Sequence, residues 1–332
     1  MKGFIVILCI GCALATPTLN VENEWAEFKL QHSRKYSTRS EETKRQAIFA
    51  ENLRTIAEHN EMFEKGLVTF EMGVNQFADM TPKEVSPGGT TMSFEEIKDS
   101  INDYVVPFVP PQDACVPDLK DWQAAGGTTE SIDQTPCNAC WSFASAAALE
   151  GALFAKTGKL RRISEKNFID CAREDYYNHG CDNGTVAGAY YYVIKNGGID
   201  DYESYPYDAK QGECKYDPKH NVTTVKSIAY IPPNDEETMK IAVAVSGPIT
   251  VGIDSNPASF QLYKSGIYSE KNCTRVNHSI TIVGYGTENG TDYWLVKNSW
   301  GPKWGNNGFG KILRNNNTCG IASQAPLFPI LW

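Results

Sequence analysis

The cysteines divide this sequence into two parts that fold under different constraints. Two of the ten Cys lie in the first 15 residues and eight lie between Cys115 and Cys319, so residues 16–111 contain none. Disulfide-bonded cysteines are typical of secreted domains, because the cytosol keeps thiols reduced. We therefore expect a disulfide-bearing domain from about residue 112, preceded by a module that folds without covalent cross-links.

The N-terminus is typical of a signal peptide. A basic start leads into an apolar run over residues 3–15 that ends in Ala-Leu-Ala, a small-residue cleavage pattern. We predict a signal peptide at 1–15 and a route through the secretory pathway to a lysosome or the extracellular space, such as a digestive lumen. Four sequons fit this route and predict a glycoprotein: Asn221, Asn272, Asn289 and Asn316.

Composition excludes several classes of function. The formal net charge of -9 argues against a nucleic-acid partner, because phosphate recognition needs a basic face. After the signal peptide, no apolar run reaches the roughly 18 residues that a membrane span needs. With 332 residues and 41% hydrophobic residues, the chain is long enough to bury a substantial core.

Residues 16–111 are predicted to be mainly helical. Apolar residues such as Ile48, Phe49, Leu53 and Ile56 recur at helical spacing within a charged stretch over 22–66, and a strand-like run follows at 68–74. Residues 86–112 are rich in Pro, Gly, Ser and Thr, which predicts a loose, exposed connection.

The remaining 220 or so residues change from helical to β patterning. A long buried helix is predicted over 140–155 and a second helix over 184–196, followed by alternating β segments after residue 222 with an Asn-Gly hairpin signal at 289–290. Helices first and strands later indicate an α+β fold with two subdomains. A cleft between subdomains is the default place for a site.

The C-x-x-C pair Cys137 and Cys140, just before the long helix, has three competing interpretations. A zinc site needs about four ligands, but no second Cys pair or paired His follows. A thioredoxin-type redox pair needs a preceding strand, and residues 131–136 are polar and turn-like. The third interpretation, one disulfide cysteine and one nucleophile at a helix N-terminus, requires a base.

His278 is the candidate base, because it directly precedes an apolar strand that would hold its ring rigidly. A free thiol has a pKa of about 8.5, and both a neighbouring imidazolium and a helix N-terminus favour the thiolate. His278 would then protonate the leaving amine, Asn298 would orient the imidazole ring, and the Gln134 amide and Cys140 N–H would bind an oxyanion.

With these residues the sequence resembles the papain-like cysteine peptidases of the cathepsin L type. The motifs Q-x-x-C-x-x-C-W, V-N-H and N-S-W-G-x-x-W-G fall on 134–141, 276–278 and 298–305, with 138 residues from Cys140 to His278 and 158 to Asn298. The family's propeptide motifs match a further set: Glu41, Arg45, Ile48, Phe49, Asn52, Ile56, Asn60, Gly73, Asn75, Phe77 and Asp79.

The resemblance implies a papain-like fold, with a helical left subdomain, a β-barrel-like right subdomain and a cleft between them. It implies an inhibitory propeptide at 16–111 and a peptidase domain at 112–332, acting as a monomer on protein and peptide substrates, without cofactor or metal. It also implies the disulfides Cys137–Cys181, Cys171–Cys214 and Cys273–Cys319, and leaves Cys115 unexplained.

The same resemblance assigns the other site positions. Trp300 would shield the catalytic pair, and Gly184 would pair with the substrate backbone. Asn138 and Asn183 stand where the family usually has glycine, and Gln324 makes the second subsite more polar than usual. The substrate-binding set is Asn138, Asn183, Gly184, Thr185, Val186, Gly252, Val276, Asn277, Ser279, Trp304 and Gln324.

Two alternatives follow from the departures. Asn138 and Asn183 leave open a weakly active or inactive homologue that serves as a binding or structural protein. An exopeptidase would need an inserted loop that caps the cleft, and the stretch 184–223 has no room for a long one.

Overall fold

The computed structural model describes residues 20–87, 93–273 and 275–332, and the predicted signal peptide lies outside these ranges. Two helices, α1 (Val21–Gln31) and α2 (Arg39–Glu64), form where one helical stretch was predicted. The break between them is set by Thr38, whose side chain accepts a hydrogen bond from the Glu41 N–H and caps α2. Strand β1 (Phe70–Met72) and helix α3 (Pro82–Val85) complete this N-terminal module, residues 20–87.

The predicted loose connection at 86–112 is wrong for residues 93–107. This stretch forms helix α4 (Phe94–Ile97), a 3₁₀ helix (Lys98–Tyr104) and strand β2 (Val105–Pro107). The side chains of Phe94, Ile97, Ile101 and Val105 are buried. They recur every three or four residues, a helical period that the polar and glycine-rich composition around them hid.

The helical half of the following domain is built around α5 (Cys140–Thr157), which confirms the predicted long helix. Gly158 ends α5 in a left-handed conformation, with φ of 70°, that favours glycine. Packed around α5 are α6 (Glu165–Cys171) and α7 (Val186–Asn196), which begins two residues later than predicted. Strands β4 (Ile199–Asp200) and β5 (Asn221–Thr223) pair beside them.

The other half is a large sheet, accompanied by helices α8 (Glu236–Val245) and α9 (Ala258–Gln261). Its further strands are β3 (Lys120–Asp121), β6 (Val225–Tyr230), β7 (Ile249–Ile253), β8 (Tyr263–Tyr268), β9 (His278–Glu288), β10 (Thr291–Lys297), β11 (Phe309–Leu313) and β12 (Leu327–Leu331). The strand order is β1-β8-β11-β10-β9-β7-β12-β6-β2, with β3 paired to β9, so the sheet ends on strands contributed by residues before 112.

Two hydrophobic cores underlie the two halves, and together these features confirm the predicted α+β class. One core joins the N-terminal module to the sheet through aromatic residues such as Trp25, Phe49, Phe260 and Trp300. The other joins α5, α6 and α7 to residues 94–105. Because α5 packs against β9 and β12 as well as α6 and α7, its N-terminus lies where the halves meet.

The structure contains the disulfides Cys137–Cys181, Cys171–Cys214 and Cys273–Cys319, while Cys115 is exposed and Cys140 is buried as free thiols. Within the described ranges, no helix combines the length and apolar character needed to cross a membrane. Residues 20–87, 93–273 and 275–332 likewise contain no cluster of three or more His, Cys, Asp or Glu placed to hold a metal ion.

Replacing Ile97 by Ala tests the packing of residues 93–107. Because Ile97 is fully buried, we expect the variant to lose about 2–4 kcal/mol of unfolding free energy in the full chain. The control Val106→Ala changes an exposed side chain and should stay within about 0.5 kcal/mol of the wild type. Denaturant unfolding measures both, and equal effects would contradict the packing described here.

Candidate active site

Cys140 is the first residue of α5 and is fully buried. The Phe143 N–H donates to the Ala139 carbonyl, which closes the first helical turn, and the Trp141 indole N–H donates to the Gly180 carbonyl at 3.2 Å. These bonds fix the thiol at the positive end of an 18-residue helix, where an anion is favoured.

His278 and Asn298 meet because their strands are antiparallel neighbours. His278 begins β9, and Asn298 directly follows β10, which pairs with β9. The His278 Nε2 lies 2.8 Å from the Asn298 Oδ1, and both residues are buried. Residues 20 positions apart in the sequence therefore form one hydrogen-bonded pair.

The hydrogen bonds of Asn298 determine the tautomer of His278. The Ser299 backbone N–H donates to the Asn298 Oδ1 at 2.8 Å, which identifies that atom as the amide oxygen. Because an oxygen only accepts here, the proton of a neutral His278 ring lies on Nε2. The Nδ1 atom is then the one that can accept a proton from a thiol.

Trp300, to which the resemblance assigns a shielding role, lies against the His278 ring. Its ring stacks on the His278 ring with centroids 4.8 Å apart. Phe77, from the N-terminal module, packs on the same tryptophan in an edge-on arrangement with centroids 5.2 Å apart. The hydrogen bond between His278 and Asn298 is buried, and a buried hydrogen bond is stronger than one exposed to water.

Burial opposes the charged form of both reacting groups. It raises the pKa of the Cys140 thiol, against hydrogen bonds from Ser279 and Trp141 that lower it. It also lowers the pKa of His278 to about 4, against the hydrogen bond with Asn298. The closed structure therefore favours a neutral thiol and a neutral imidazole, rather than the predicted ion pair.

Gln134 belongs to the same buried network. Its Oε1 accepts a hydrogen bond from the Ser299 hydroxyl at 2.6 Å, and its Nε2 donates to the Cys137 carbonyl at 3.2 Å. Ser299, which our sequence interpretation did not single out, thus links Gln134 to Asn298. Its position between the candidates Asn298 and Trp300 in the N-S-W motif was the sequence signal that could have identified it.

Asn138 and Asn183 lie on adjoining loops near Cys140. The Asn138 side chain donates to the Asp182 carbonyl at 2.9 Å, and its backbone N–H donates to the Cys181 carbonyl at 2.8 Å. Beside them, Gly184 packs so tightly on Trp141 that an added Cβ would lie 2.6 Å from the indole ring. Asn138, at a position where the resemblance expects glycine, therefore adds a side-chain hydrogen bond between the two loops that the disulfide Cys137–Cys181 already joins.

Most of the predicted second subsite comes together in one cavity of about 50 Å³. Gln324 approaches Gly252 so closely that an added Cβ there would lie 2.9 Å from its Oε1 and 2.5 Å from the Val276 Cγ1. Phe94, which sequence interpretation placed in a loose connection, lines the cavity too. The predicted residues that line it are Gly184, Thr185, Val186, Gly252, Ser279 and Gln324.

Two predicted positions have their side chains engaged elsewhere. The Asn277 Oδ1 accepts hydrogen bonds from the backbone and hydroxyl of Ser255, and its Nδ2 donates to Asn256. Trp304 is buried in the aromatic cluster of the sheet, where its indole N–H donates to the Phe260 carbonyl. Asn277 is buried, whereas all four sequons named as glycosylation positions have exposed asparagines: Asn221, Asn272, Asn289 and Asn316.

The N-terminal module holds the sheet side of this site. Strand β1 pairs antiparallel with β8, and the Gln76 amide donates to the Trp300 carbonyl. The Asn75 amide donates to the Gln261 carbonyl at 2.8 Å. The module is thus hydrogen-bonded to the residues that flank the catalytic candidates.

Comparison with known families assigns both parts of the chain. Residues 116–328 match the model of the papain family cysteine proteases, and residues 25–85 match that of the cathepsin propeptide inhibitor domain. The chain belongs to the papain family of cysteine proteases. It is a cysteine endopeptidase that carries an inhibitor domain of the cathepsin propeptide type.

Individual papain-family proteins match over nearly the full length. Cathepsin L of Sarcophaga peregrina is 42% identical, covering 98% of each chain, and human cathepsin L2 is 40% identical, covering 97% of each. The solved structure of a digestive procathepsin L 3 from the larval midgut of Tenebrio molitor matches with a TM-score of 0.85 and 36% identity, over 95% of this chain and all of that one. These matches confirm the papain-like fold.

The reactivity of Cys140 tests the neutral pair. At neutral pH we expect iodoacetamide to alkylate Cys140 at least tenfold more slowly than the exposed Cys115 in the intact chain, because burial both hides the thiol and raises its pKa. Peptide mass spectrometry reports both thiols in one sample, so Cys115 serves as the control. Equal rates would show that the site is open and the thiolate already formed.

Proposed function

We propose that this chain is the zymogen of a peptidase that acts through a Cys140 thiolate and a His278 imidazolium. The Cys140 Sγ attacks the substrate carbonyl carbon, the peptide C–N bond breaks, and the amine leaves with a proton from His278. His278, now neutral, takes a proton from water, the hydroxide adds to the acyl carbon, and the C–S bond breaks to release the carboxylic acid and restore the Cys140 thiolate beside the His278 imidazolium. The hydrogen bond of the His278 Nε2 to Asn298 carries the proposal, since it leaves Nδ1 for this proton transfer.

The oxyanion of the tetrahedral intermediate would be held by the Cys140 backbone N–H and the Gln134 side-chain amide. The Gln134 Nε2 now donates to the Cys137 carbonyl at 3.2 Å, a long bond that can be exchanged for one to the oxyanion. The Ser299 hydroxyl donates to the Gln134 Oε1 at the other end of the amide, which fixes the direction in which the Nε2 points. Each such donor contributes about 3 kcal/mol to the transition state.

Formation of the ion pair is coupled to opening of the cleft. Desolvation is the largest cause that keeps both Cys140 and His278 neutral. The N-terminal module would contribute to it through Phe77 and Gln76, which contact Trp300 beside His278. Departure of the module would admit water, so the pKa of the thiol falls and that of the imidazole rises. The same covering that blocks substrates therefore keeps the nucleophile in its unreactive form.

The proposal includes the domain limits: a signal peptide at 1–15, an inhibitory propeptide at 16–111 and a monomeric peptidase at 112–332. The chain would enter the secretory pathway. The family matches at 25–85 and 116–328 support the two larger units. Protein and peptide substrates would bind along the cleft lined by Gly184, Thr185 and Gln324. A digestive role is supported by the similarity to the digestive procathepsin L 3 of the Tenebrio molitor larval midgut.

Two substitutions test the catalytic assignment. Cys140→Ala should abolish both self-processing at acid pH and peptide hydrolysis, because the acyl-enzyme cannot form. Asn298→Ala, processed by added wild-type enzyme, should lower kcat/KM by about ten- to a hundredfold, since the His278 ring loses its orienting bond. Fluorogenic peptide hydrolysis measures both effects.

Asn196→Ala is the matched control for Asn298→Ala. Asn196 makes a hydrogen bond of similar length, to the Gly198 carbonyl at 2.9 Å, at the end of α7. We expect its activity to stay within about twofold of the wild type. An activated wild-type chain that neither hydrolyses peptides nor reacts at Cys140 with an epoxide thiol inhibitor would instead favour the inactive binding-protein homologue.

Acid release of the module is expected to involve Glu84. Burial favours its neutral form, but hydrogen bonds from Thr81 and Arg45 prevail and hold the pKa of Glu84 below its usual value. A lowered pKa means that this carboxylate stabilises the module above about pH 4.5, and that the stabilisation is lost as the pH falls through the lower folded value.

Glu84→Gln should therefore process faster than the wild type and at a higher pH. The substitution removes the charged partner of Arg45 at every pH, which costs the module about 1 kcal/mol. The control Glu58→Gln removes a mostly exposed i,i+4 ion pair with Arg54 and should leave the pH midpoint unchanged. Gel electrophoresis measures the extent of processing across pH 3–7. Equal pH midpoints for the two variants would contradict the assignment of Glu84.

A further inference from the structure

Tyr207 lies on a loop of the helical half, residues 205–214, that no sequence motif singled out. Its hydroxyl donates a hydrogen bond to the Gln134 backbone carbonyl at 2.5 Å. Gln134 is the residue whose side-chain amide would bind the oxyanion in the proposed mechanism. The loop is therefore in direct contact with a residue of the candidate active site.

Helix α6 anchors this loop on both sides of Tyr207. A disulfide joins Cys214, at the end of the loop, to Cys171, the last residue of α6. The buried Lys166 ammonium, on the same helix, lies 2.8 Å from the carboxylate of Asp208, the residue after Tyr207. Because both anchors are on one helix, the position of the Tyr207 hydroxyl is fixed relative to the helical half.

The ring of Tyr207 makes a second contact close to the nucleophile. It meets the Phe143 ring edge to face, with centroids 4.9 Å apart, and Phe143 lies in the first turn of α5, which begins at Cys140. Burial raises the pKa of the Tyr207 hydroxyl above its usual value of about 10. The hydroxyl therefore keeps its proton, and remains a donor, at acid and neutral pH.

The backbone of Gln134 is held from three directions. Its carbonyl also accepts a hydrogen bond from the Cys137 N–H at 3.0 Å, which closes a tight turn over residues 134–137. A carbonyl oxygen has two lone pairs, and Tyr207 and the turn supply a donor for each. The Gln134 N–H donates to the Ser299 carbonyl at 2.9 Å, across the junction with the sheet half.

The two proposed oxyanion donors belong to different segments of the chain. The Gln134 amide is carried by the turn before α5, and the Cys140 N–H is carried by α5 itself. Both must lie within about 2.7–3.1 Å of the oxyanion to stabilise it, so the turn and the helix need a fixed separation. Tyr207 contacts both segments, the turn through its hydroxyl and the helix through its ring on Phe143.

We propose that Tyr207 is a positioning residue of the oxyanion hole and that it acts through Gln134. Its hydroxyl holds the turn at the distance from α5 at which the Gln134 amide and the Cys140 N–H converge. The inference rests on the proposed function, because that function assigns the oxyanion to these two donors. Since the oxyanion forms only after the substrate has bound, Tyr207 raises kcat and leaves KM unchanged.

Tyr207→Phe tests the proposal, because it removes the hydroxyl and keeps the ring on Phe143. Full-length chains are processed with pepsin at acid pH, and active enzyme is counted by titration with an epoxide thiol inhibitor. We expect kcat for fluorogenic peptide hydrolysis to fall about three- to tenfold, the range of a single neutral hydrogen bond, with KM within about twofold of the wild type. A kcat equal to that of the wild type overturns the proposal.

Tyr285→Phe is the matched control. The Tyr285 hydroxyl likewise donates to a backbone carbonyl, that of Pro117 at 2.9 Å, on a strand of the sheet half. We expect kcat of this variant to stay within about twofold of the wild type. An equal loss in Tyr207→Phe and Tyr285→Phe would show that any lost tyrosine hydroxyl has this effect, and would overturn the proposal.

A double-substitution experiment asks whether Tyr207 acts through Gln134. Gln134→Ala alone should lower kcat about a hundred- to a thousandfold. In that background, Tyr207→Phe should lower kcat by less than about 1.5-fold more, since no amide remains to be positioned. A further three- to tenfold loss would mean that the two residues act independently, which overturns the proposal.

The reactivity of Cys140 distinguishes positioning from a general disturbance of the site. Alkylation by iodoacetamide forms no oxyanion, so its rate at Cys140 in processed Tyr207→Phe should stay within about twofold of the wild type. A loss of alkylation that matches the loss of kcat would overturn the positioning role.

Hydrolysis by the wild type separates this proposal from the proposed function. An active wild type whose Tyr207→Phe variant is equally active overturns the role of Tyr207 and leaves the proposed function standing. A processed wild type that hydrolyses no peptide overturns both.

Discussion

The burial of helix α5 is the constraint on which the rest of the structure depends. Its residues from Cys140 to Ala152 are buried, because α6 and α7 cover one side and strands β9 and β12 cover the other. The helix is thus shared by both halves, and its N-terminus can only lie at their junction. This places Cys140, the first residue of the helix, and His278, the first residue of β9, on two elements that pack against each other.

The segments before residue 112 contact both ends of the sheet. The helical module packs beside Trp300, and Phe94 packs against Tyr230 of β6. Desolvation favours the neutral forms of Cys140 and His278, so the burial of this junction bears on the protonation state of both groups.

The sequence predicted the parts whose signal is local. The long helix, the hairpin at 289–290 and the α+β order follow from periodicity and turn residues, and the motifs located Cys140, His278 and Asn298. The packing of residues 93–107 was missed, because their composition resembles that of a loop and their apolar side chains are buried only against the rest of the folded chain. Asn277 and Trp304 were placed by motif alone, and their side chains bond to Ser255, Asn256 and Phe260 instead.

The sequence therefore identifies the candidate catalytic residues, but it does not determine their protonation states. Neighbouring residues in the sequence are enough to predict where each candidate lies. The cysteine stands at the start of a helix, the histidine at the start of a strand, and the asparagine after the next strand. Whether Cys140 and His278 are charged depends on how deeply they are buried, and residues from distant parts of the sequence produce that burial. Burial is a sum over long-range contacts, so only the folded chain could show that burial favours the neutral pair and that Phe94 lines the neighbouring pocket.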